Sequence, residues 1–88
     1  MITDEEKRIV TDLARKYKIG KLYLFGSNLS SGEANDIDLA VDGIEPSLFF
    51  RFYGELMMQV ARPMDLVDLK KESMFNSIIK KEGMKIYG

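Results

Sequence analysis

The 88-residue sequence predicts one α/β domain, residues 1–88, built from three helices and several short strands. Three segments carry apolar residues at the three- and four-residue spacing of an amphipathic helix. Between and after them lie short segments rich in β-prone residues and bounded by glycine, proline or asparagine, as is typical of strands. Because 45% of the residues are hydrophobic, the chain can bury a single core.

The first helix is predicted over residues 4–17, because Thr3 and Glu6 have the spacing of a capping box. A second is predicted over residues 46–60, with a proline suited to its first turn. The third is predicted over residues 71–82. We expect it to bury four apolar side chains: Met74, Phe75, Ile78 and Ile79.

The strands are predicted at residues 21–25, 36–41 and 64–69, each a short β-prone run. A glycine-, serine- and asparagine-rich loop, residues 26–35, joins the first two. Residues 84–87 either add a short edge strand or lie on the core.

Composition excludes several kinds of chemistry. The chain has no cysteine and no histidine, so disulfides, thiol nucleophiles, histidine bases and the usual zinc ligands are absent. A net charge of -1 argues against a long nucleic acid as substrate, since no broad basic field can form. The sequence shows no apolar run of signal-peptide or membrane-span length, which predicts a cytoplasmic protein without a membrane partner.

Two aspartates open the second predicted strand, where aspartate is poorly suited to a sheet. Side chains two residues apart on a strand lie on one side, about 6.6 Å apart, so Asp36 and Asp38 bring two negative charges together. Such a pair favours a cation. The alternative is that Asp36 ends the loop by accepting backbone hydrogen bonds while Asp38 lies on a solvated face.

Further features favour the cation. Gly26 and Ser27 stand where a strand gives way to a loop, and there a glycine lets the backbone approach a phosphate while the serine offers a hydroxyl and an N–H. An ordinary glycine turn is the alternative. Asp65 lies inside the apolar third strand, where a half-buried carboxylate needs a partner, and Asp68 is expected to cap the following helix.

Oxygen donors without nitrogen or sulfur ligands suit Mg²⁺. Together these residues predict a magnesium site of three carboxylates, Asp36, Asp38 and Asp65, facing a phosphate-binding loop.

The run "LFGSNLSSGEANDIDLAV" followed by "PMDLVDL" resembles the nucleotidyltransferase domain of the polymerase β superfamily. The small size and the closing "EGMKIYG" are similar to the minimal nucleotidyltransferases, antitoxins paired with a HEPN-domain partner. The resemblance implies an α+β fold with a small mixed sheet of three to four strands and helices packed on it. It places Gly26 and Ser27 at the triphosphate, and Asp36, Asp38 and Asp65 as ligands of two Mg²⁺ ions.

The loop departs from the family pattern in its length, which is shorter than is common, and in two residues. Asn35 stands where a serine is frequent. The family often has an arginine directly after Gly-Ser, whereas this chain has Asn28. Arg62, Lys70 or Lys71 could replace that cation; otherwise they lie on a solvated surface.

The second helix has more apolar surface than one core-facing stripe requires. Its apolar arc spans roughly 200°, against about 100° for such a stripe, with Phe50 and Met57 at one edge and Met58 beyond it. Either the small domain wraps this helix deeply, or a partner protein or a second copy of the chain covers the excess.

Two functions follow. The first is an enzyme that transfers a nucleoside monophosphate, AMP from ATP, to a hydroxyl of a partner protein, with the aspartates as catalytic residues. The second is a catalytically weakened nucleotidyltransferase fold that neutralises its partner by binding alone.

Overall fold

The computed structural model describes residues 2–26 and 36–88. The helices and strands follow one another in the predicted order, and their bounds agree within a few residues. The elements are, in order, α1 (Asp4–Lys16), β1 (Lys21–Leu24), β2 (Ile37–Asp42), a 3₁₀ turn (Pro46–Leu48), α2 (Phe49–Gln59), β3 (Met64–Asp68), α3 (Met74–Glu82) and β4 (Met84–Tyr87).

The four strands form one mixed sheet in the order β3-β2-β1-β4. β1 is antiparallel to both of its neighbours, β2 and β4, whereas β2 and β3 are parallel. Residues 84–87 are therefore a true edge strand. The predicted α+β fold, a small mixed sheet with helices packed on it, is confirmed.

The sheet separates two apolar layers of unequal size. On one face, α1 and α2 pack over a large cluster that includes Ile37, Leu39 and Val41, the alternate residues of β2. On the other face, α3 covers a small cluster of four buried residues: Tyr23, Ala40, Leu69 and Ile79. Asp38 of β2 and Asp65 of β3 alternate with large-cluster residues of their strands, so these two aspartates lie on the α3 face.

The start of α1 confirms the capping box. The Thr3 hydroxyl accepts from the Glu6 N–H at 3.1 Å, and the Glu6 carboxylate accepts from the Thr3 N–H at 2.9 Å. At α3 the predicted start and cap were wrong. The helix begins at Met74 because the Ser73 hydroxyl accepts from the Asn76 N–H, while the Asp68 carboxylate accepts from the Lys70 N–H in the preceding turn.

The predicted packing of α3 was also wrong for three of its four residues. Ile79 is buried, but Met74, Phe75 and Ile78 are 82%, 54% and 50% exposed. Asn76 occupies an inward position instead, since its side-chain amide donates to the backbone oxygens of Asp68 and Lys71. The short helix therefore leaves one apolar side uncovered by the described residues.

The core does not bury all of the apolar surface of α2. Phe52 and Leu56 are fully buried, whereas Phe50, Met57 and Met58 are 80%, 55% and 87% exposed. Of the two interpretations of this helix, deep wrapping by the described part of the chain is therefore excluded.

None of the helices in residues 2–26 and 36–88 has the length and apolar character needed to cross a lipid bilayer.

Candidate functional site

Two of the predicted carboxylates are neighbours across parallel strands. Asp38 of β2 is the register partner of Asp65 of β3, so both side chains lie on one face, on backbones about 4.8 Å apart. Asp36 lies just before β2 and is exposed. Asp38 is half-buried, but Asp65 is exposed rather than half-buried as predicted, because β3 is an edge strand.

Burial raises the pKa of Asp38 above its ordinary value, and the charges of Asp65 and Asp36 raise it further. The charges of two carboxylates thus act on Asp38 at one end of the sheet. None of the ion pairs formed between described residues includes any of these three aspartates. This position is therefore one of accumulated negative charge, which a divalent cation would neutralise.

Gly26 lies directly against Asp38. Its φ is +69°, and a Cβ at this position would lie 2.8 Å from the Asp38 Oδ2 atom. The Phe25 N–H donates to the Asp38 backbone oxygen at 3.1 Å, which fixes the end of β1 beside the aspartate. The positive φ disfavours a side chain here, and a side chain would also displace the Asp38 carboxylate, so the position favours glycine. Ser27, the other predicted triphosphate residue, lies outside the described residues, as does Asn28.

The donors fit Mg²⁺ in kind, since all three predicted ligands are carboxylates. Within the described residues, however, no three acidic side chains are gathered closely enough to form a metal-binding group. The structure brings Asp38 and Asp65 into register and leaves Asp36 on the approach to β2. The three-carboxylate site therefore stays a prediction.

The candidate replacements for the loop cation lie elsewhere. Arg62 is not solvated: its guanidinium donates to both Glu6 carboxylate oxygens, at 2.7 and 2.9 Å, and only 25% of its side chain is exposed. Lys70 and Lys71 follow the end of β3, whereas Asp65 is near its start, with roughly 10 Å of strand between Asp65 and Asp68. Both lysines are exposed, as the surface interpretation predicted.

A groove beside this site was not predicted. It has a volume of about 310 Å³ and lies between the end of β1 and α3. Its lining includes Phe25, Gly26, Phe75, Ile78 and Glu82. The sequence did not predict this groove because it predicted that α3 buries Phe75 and Ile78, which line it. The available signal was a nine-residue helix with more apolar residues than one face can bury.

Comparison with solved structures shows the same fold. The crystal structure of the toxin-antitoxin MntA-HepT has a TM-score of 0.73 and 23% identity, with 98% of this chain and 73% of that chain covered. The crystal structure of a toxin-antitoxin with AMP-PNP has a TM-score of 0.73 and 28% identity, with 98% of this chain and 74% of that chain covered. A mutant of the toxin-antitoxin MntA-HpeT has a TM-score of 0.74 and 23% identity, with 93% of this chain and 72% of that chain covered. A search of curated proteins found no match.

The family comparison covers nearly the whole chain. Residues 7–88 match the family model described as "Polymerase beta, Nucleotidyltransferase". The matched region contains every predicted site residue, Gly26, Ser27, Asp36, Asp38 and Asp65. The resemblance stated from the sequence is thereby confirmed: the chain belongs to the polymerase β nucleotidyltransferase family.

Proposed function

We propose that the protein is a cytoplasmic, Mg²⁺-dependent nucleotidyltransferase that moves AMP from ATP to a hydroxyl of a partner protein. One observation carries the proposal: Asp38, with a raised pKa, lies between its register partner Asp65 and the close-packed Gly26. This combination of clustered carboxylates and an accessible backbone suits a metal-bound triphosphate.

Asp36, Asp38 and Asp65 would hold two Mg²⁺ ions. When bound, such ions neutralise phosphate charge and lower the pKa of a nearby hydroxyl. Gly26 lets the backbone approach the triphosphate without a side chain in the way, and Ser27 would offer its hydroxyl and N–H.

In the proposed reaction, the acceptor oxygen forms a bond to the α-phosphorus in line with the bond that breaks. The broken bond joins that phosphorus to the oxygen bridging to the β-phosphate, so pyrophosphate leaves. Asp65 accepts the proton of the hydroxyl. Its exposure supports this role, since the acceptor must reach it from outside the domain, whereas Asp38 is half-buried.

A protein acceptor is supported by what the chain offers. A net charge of -1 provides no basic groove for a polynucleotide. Exposed apolar side chains on α2 and α3 suit contact with another protein. The similar solved structures are toxin-antitoxins, so we propose that this chain is the antitoxin of such a pair with a HEPN-domain partner.

A second function is favoured by one feature of the sequence. Asn28 stands where the family often has an arginine. Without that cation, the fold would neutralise its partner by occlusion alone, through surfaces such as the exposed Phe50 and Met58 of α2.

The deciding experiment uses the partner encoded by the adjacent reading frame, incubated with the protein, ATP and Mg²⁺. Intact-mass analysis should find one AMP added to the partner. Asp65→Asn should reduce the transfer about a hundredfold or more, as expected when a metal ligand or base is lost. Asp68→Asn is the matched control, because it makes the same change three residues along the strand, where no site is proposed.

The opposite result is equally clear. If no adduct forms and protection of the cell survives removal of Asp36, Asp38 and Asp65 together, the protein acts by binding alone.

A further inference from the structure

The groove between β1 and α3 is apolar and open. Phe75 and Ile78, which line it, are 54% and 50% exposed, and no described residue covers them. The ring of Phe75 meets that of Phe25 edge to face, with centroids 5.8 Å apart and planes at 85°. Two aromatic rings at a right angle present a flat face to a planar ligand.

The groove is continuous with the carboxylate site through one residue. Gly26 lines the groove, and the position of its missing Cβ is 2.8 Å from the Asp38 Oδ2 atom. A ligand that places an apolar ring in the groove can therefore extend a charged portion past Gly26 to the aspartates. A nucleoside triphosphate has this division into a flat base and a charged tail.

The size of the groove favours a base over a protein segment as its ligand. Its volume of about 310 Å³ is at the lower limit of ligand pockets, which run from roughly 300 to 1,000 Å³. A segment of a partner protein would need a longer surface. A purine offers two fused rings for stacking against phenylalanine, hence more contact than a pyrimidine.

We propose that this groove binds the purine base of the nucleotide, stacked on the half-exposed ring of Phe75, with the perpendicular ring of Phe25 at the edge of the base and a wall formed by Ile78. The proposal rests on the proposed nucleotidyltransferase function and adds to it the position and class of the base. It assigns α3, which carries none of the predicted site residues, to nucleotide binding.

Calorimetry of the full chain with Mg²⁺ tests the base and the phosphates separately, using ATP, UTP and inorganic tripolyphosphate. Wild type should bind ATP about tenfold more tightly than UTP. Phe75→Ala and Ile78→Ser should each weaken ATP binding by about tenfold or more and leave tripolyphosphate binding unchanged. Both side chains are half exposed, so the fold should tolerate the changes.

Met57→Ser is the matched control, since this residue is 55% exposed on α2, across the sheet from the groove. It should leave both affinities at the wild-type value. Unchanged ATP affinity in both groove variants would overturn the base assignment, and so would a parallel loss of tripolyphosphate binding. Unchanged ATP affinity with loss of the partner complex would assign the groove to the partner.

The two proposals fail in different ways. If wild type binds neither ATP nor tripolyphosphate, the nucleotidyltransferase function fails and the base site falls with it. If wild type binds both equally tightly, the phosphate site stands and only the base site is refuted.

Discussion

At the scale of single residues, the fold holds Asp38 where its ionised form is disfavoured. Burial removes water from the carboxylate, and Asp65 and Asp36 add like charges. A protonated Asp38 is therefore favoured in the folded state relative to the unfolded state. The contribution of Asp38 to the free energy of unfolding of the ligand-free protein should accordingly fall as pH rises above the ordinary aspartate pKa of 3.8.

We expect Asp38→Asn to leave the ligand-free protein as stable as wild type at pH 7, or slightly more stable, because it removes the repulsion. It should abolish Mg-ATP binding, because it removes one of the carboxylates proposed to hold the metal. Urea unfolding and calorimetry on the same preparation measure the two effects. Asp42→Asn, at the far end of β2, is the control and should bind Mg-ATP normally. Tight Mg-ATP binding by Asp38→Asn would remove this residue from the site.

The ion pair between Glu6 and Arg62 stabilises the protein, and acid weakens this stabilisation. The hydrogen bonds from Arg62 lower the pKa of Glu6 to about 2, against an ordinary 4.5. Because the pKa is depressed in the folded state, the stabilisation is fully present above about pH 4.5 and is lost as pH falls towards 2.

We expect Glu6→Gln to cost about 1–2 kcal/mol at pH 7, after allowance for solvent screening, and to flatten the decline in stability between pH 4.5 and 2. Urea unfolding across that range measures it. Glu5→Gln, at the exposed neighbouring position, should reproduce the wild-type profile. Equal acid sensitivity in wild type and Glu6→Gln would contradict the assignment.

At the scale of elements, the sequence predicted what depends on local signals. The capping box located the start of α1, and period-two alternation located β2 and the face of its aspartates. The side on which α3 leaves apolar residues exposed could not be predicted, because Asn76 turns inward through hydrogen bonds to the backbone oxygens of Asp68 and Lys71, and these depend on the conformation of the turn before the helix. Nor could the sequence show that Asp38 and Asp65 share a register, which depends on a parallel pairing of distant segments.

The two sides of α2 should respond differently to substitution. Phe52→Ala should destabilise the protein by about 3 kcal/mol or more, because this side chain is fully buried. Phe50→Ser, at a position 80% exposed, should change the free energy of unfolding by less than about 0.5 kcal/mol. It should instead weaken a dimer or a partner complex, which sedimentation detects. A wild type that stays monomeric and binds no partner would end the proposal for this surface.

At the scale of the whole molecule, the two apolar layers are unequal. The layer under α1 and α2 holds most of the buried side chains, while the layer under α3 has four: Tyr23, Ala40, Leu69 and Ile79. Local opening requires less free energy where fewer apolar contacts are lost. The α3 face of the sheet is therefore expected to be its less stable side.

We expect backbone amides of α3 to exchange hydrogen faster than those of α1 and α2, at a free energy of opening below that of global unfolding. Hydrogen exchange read by mass spectrometry measures this directly. Ile79→Ala should accelerate exchange in α3 while leaving α1 at the wild-type rate, since Ile79 is the apolar residue that α3 buries. Uniform protection across the three helices would show instead that the two layers open together.

The position of β3 at an edge of the sheet has a consequence for solubility. Among the described strands it pairs with β2 alone, so its outer N–H and C=O groups are open to a strand of another molecule. Acidic residues at such an edge oppose intermolecular pairing, and Asp65 and Asp68 are the two charges that β3 carries. Neutralising both leaves an uncharged apolar strand that invites aggregation. The carboxylate assigned to chemistry on the face of the sheet thus also acts as a gatekeeper that keeps copies of the protein apart.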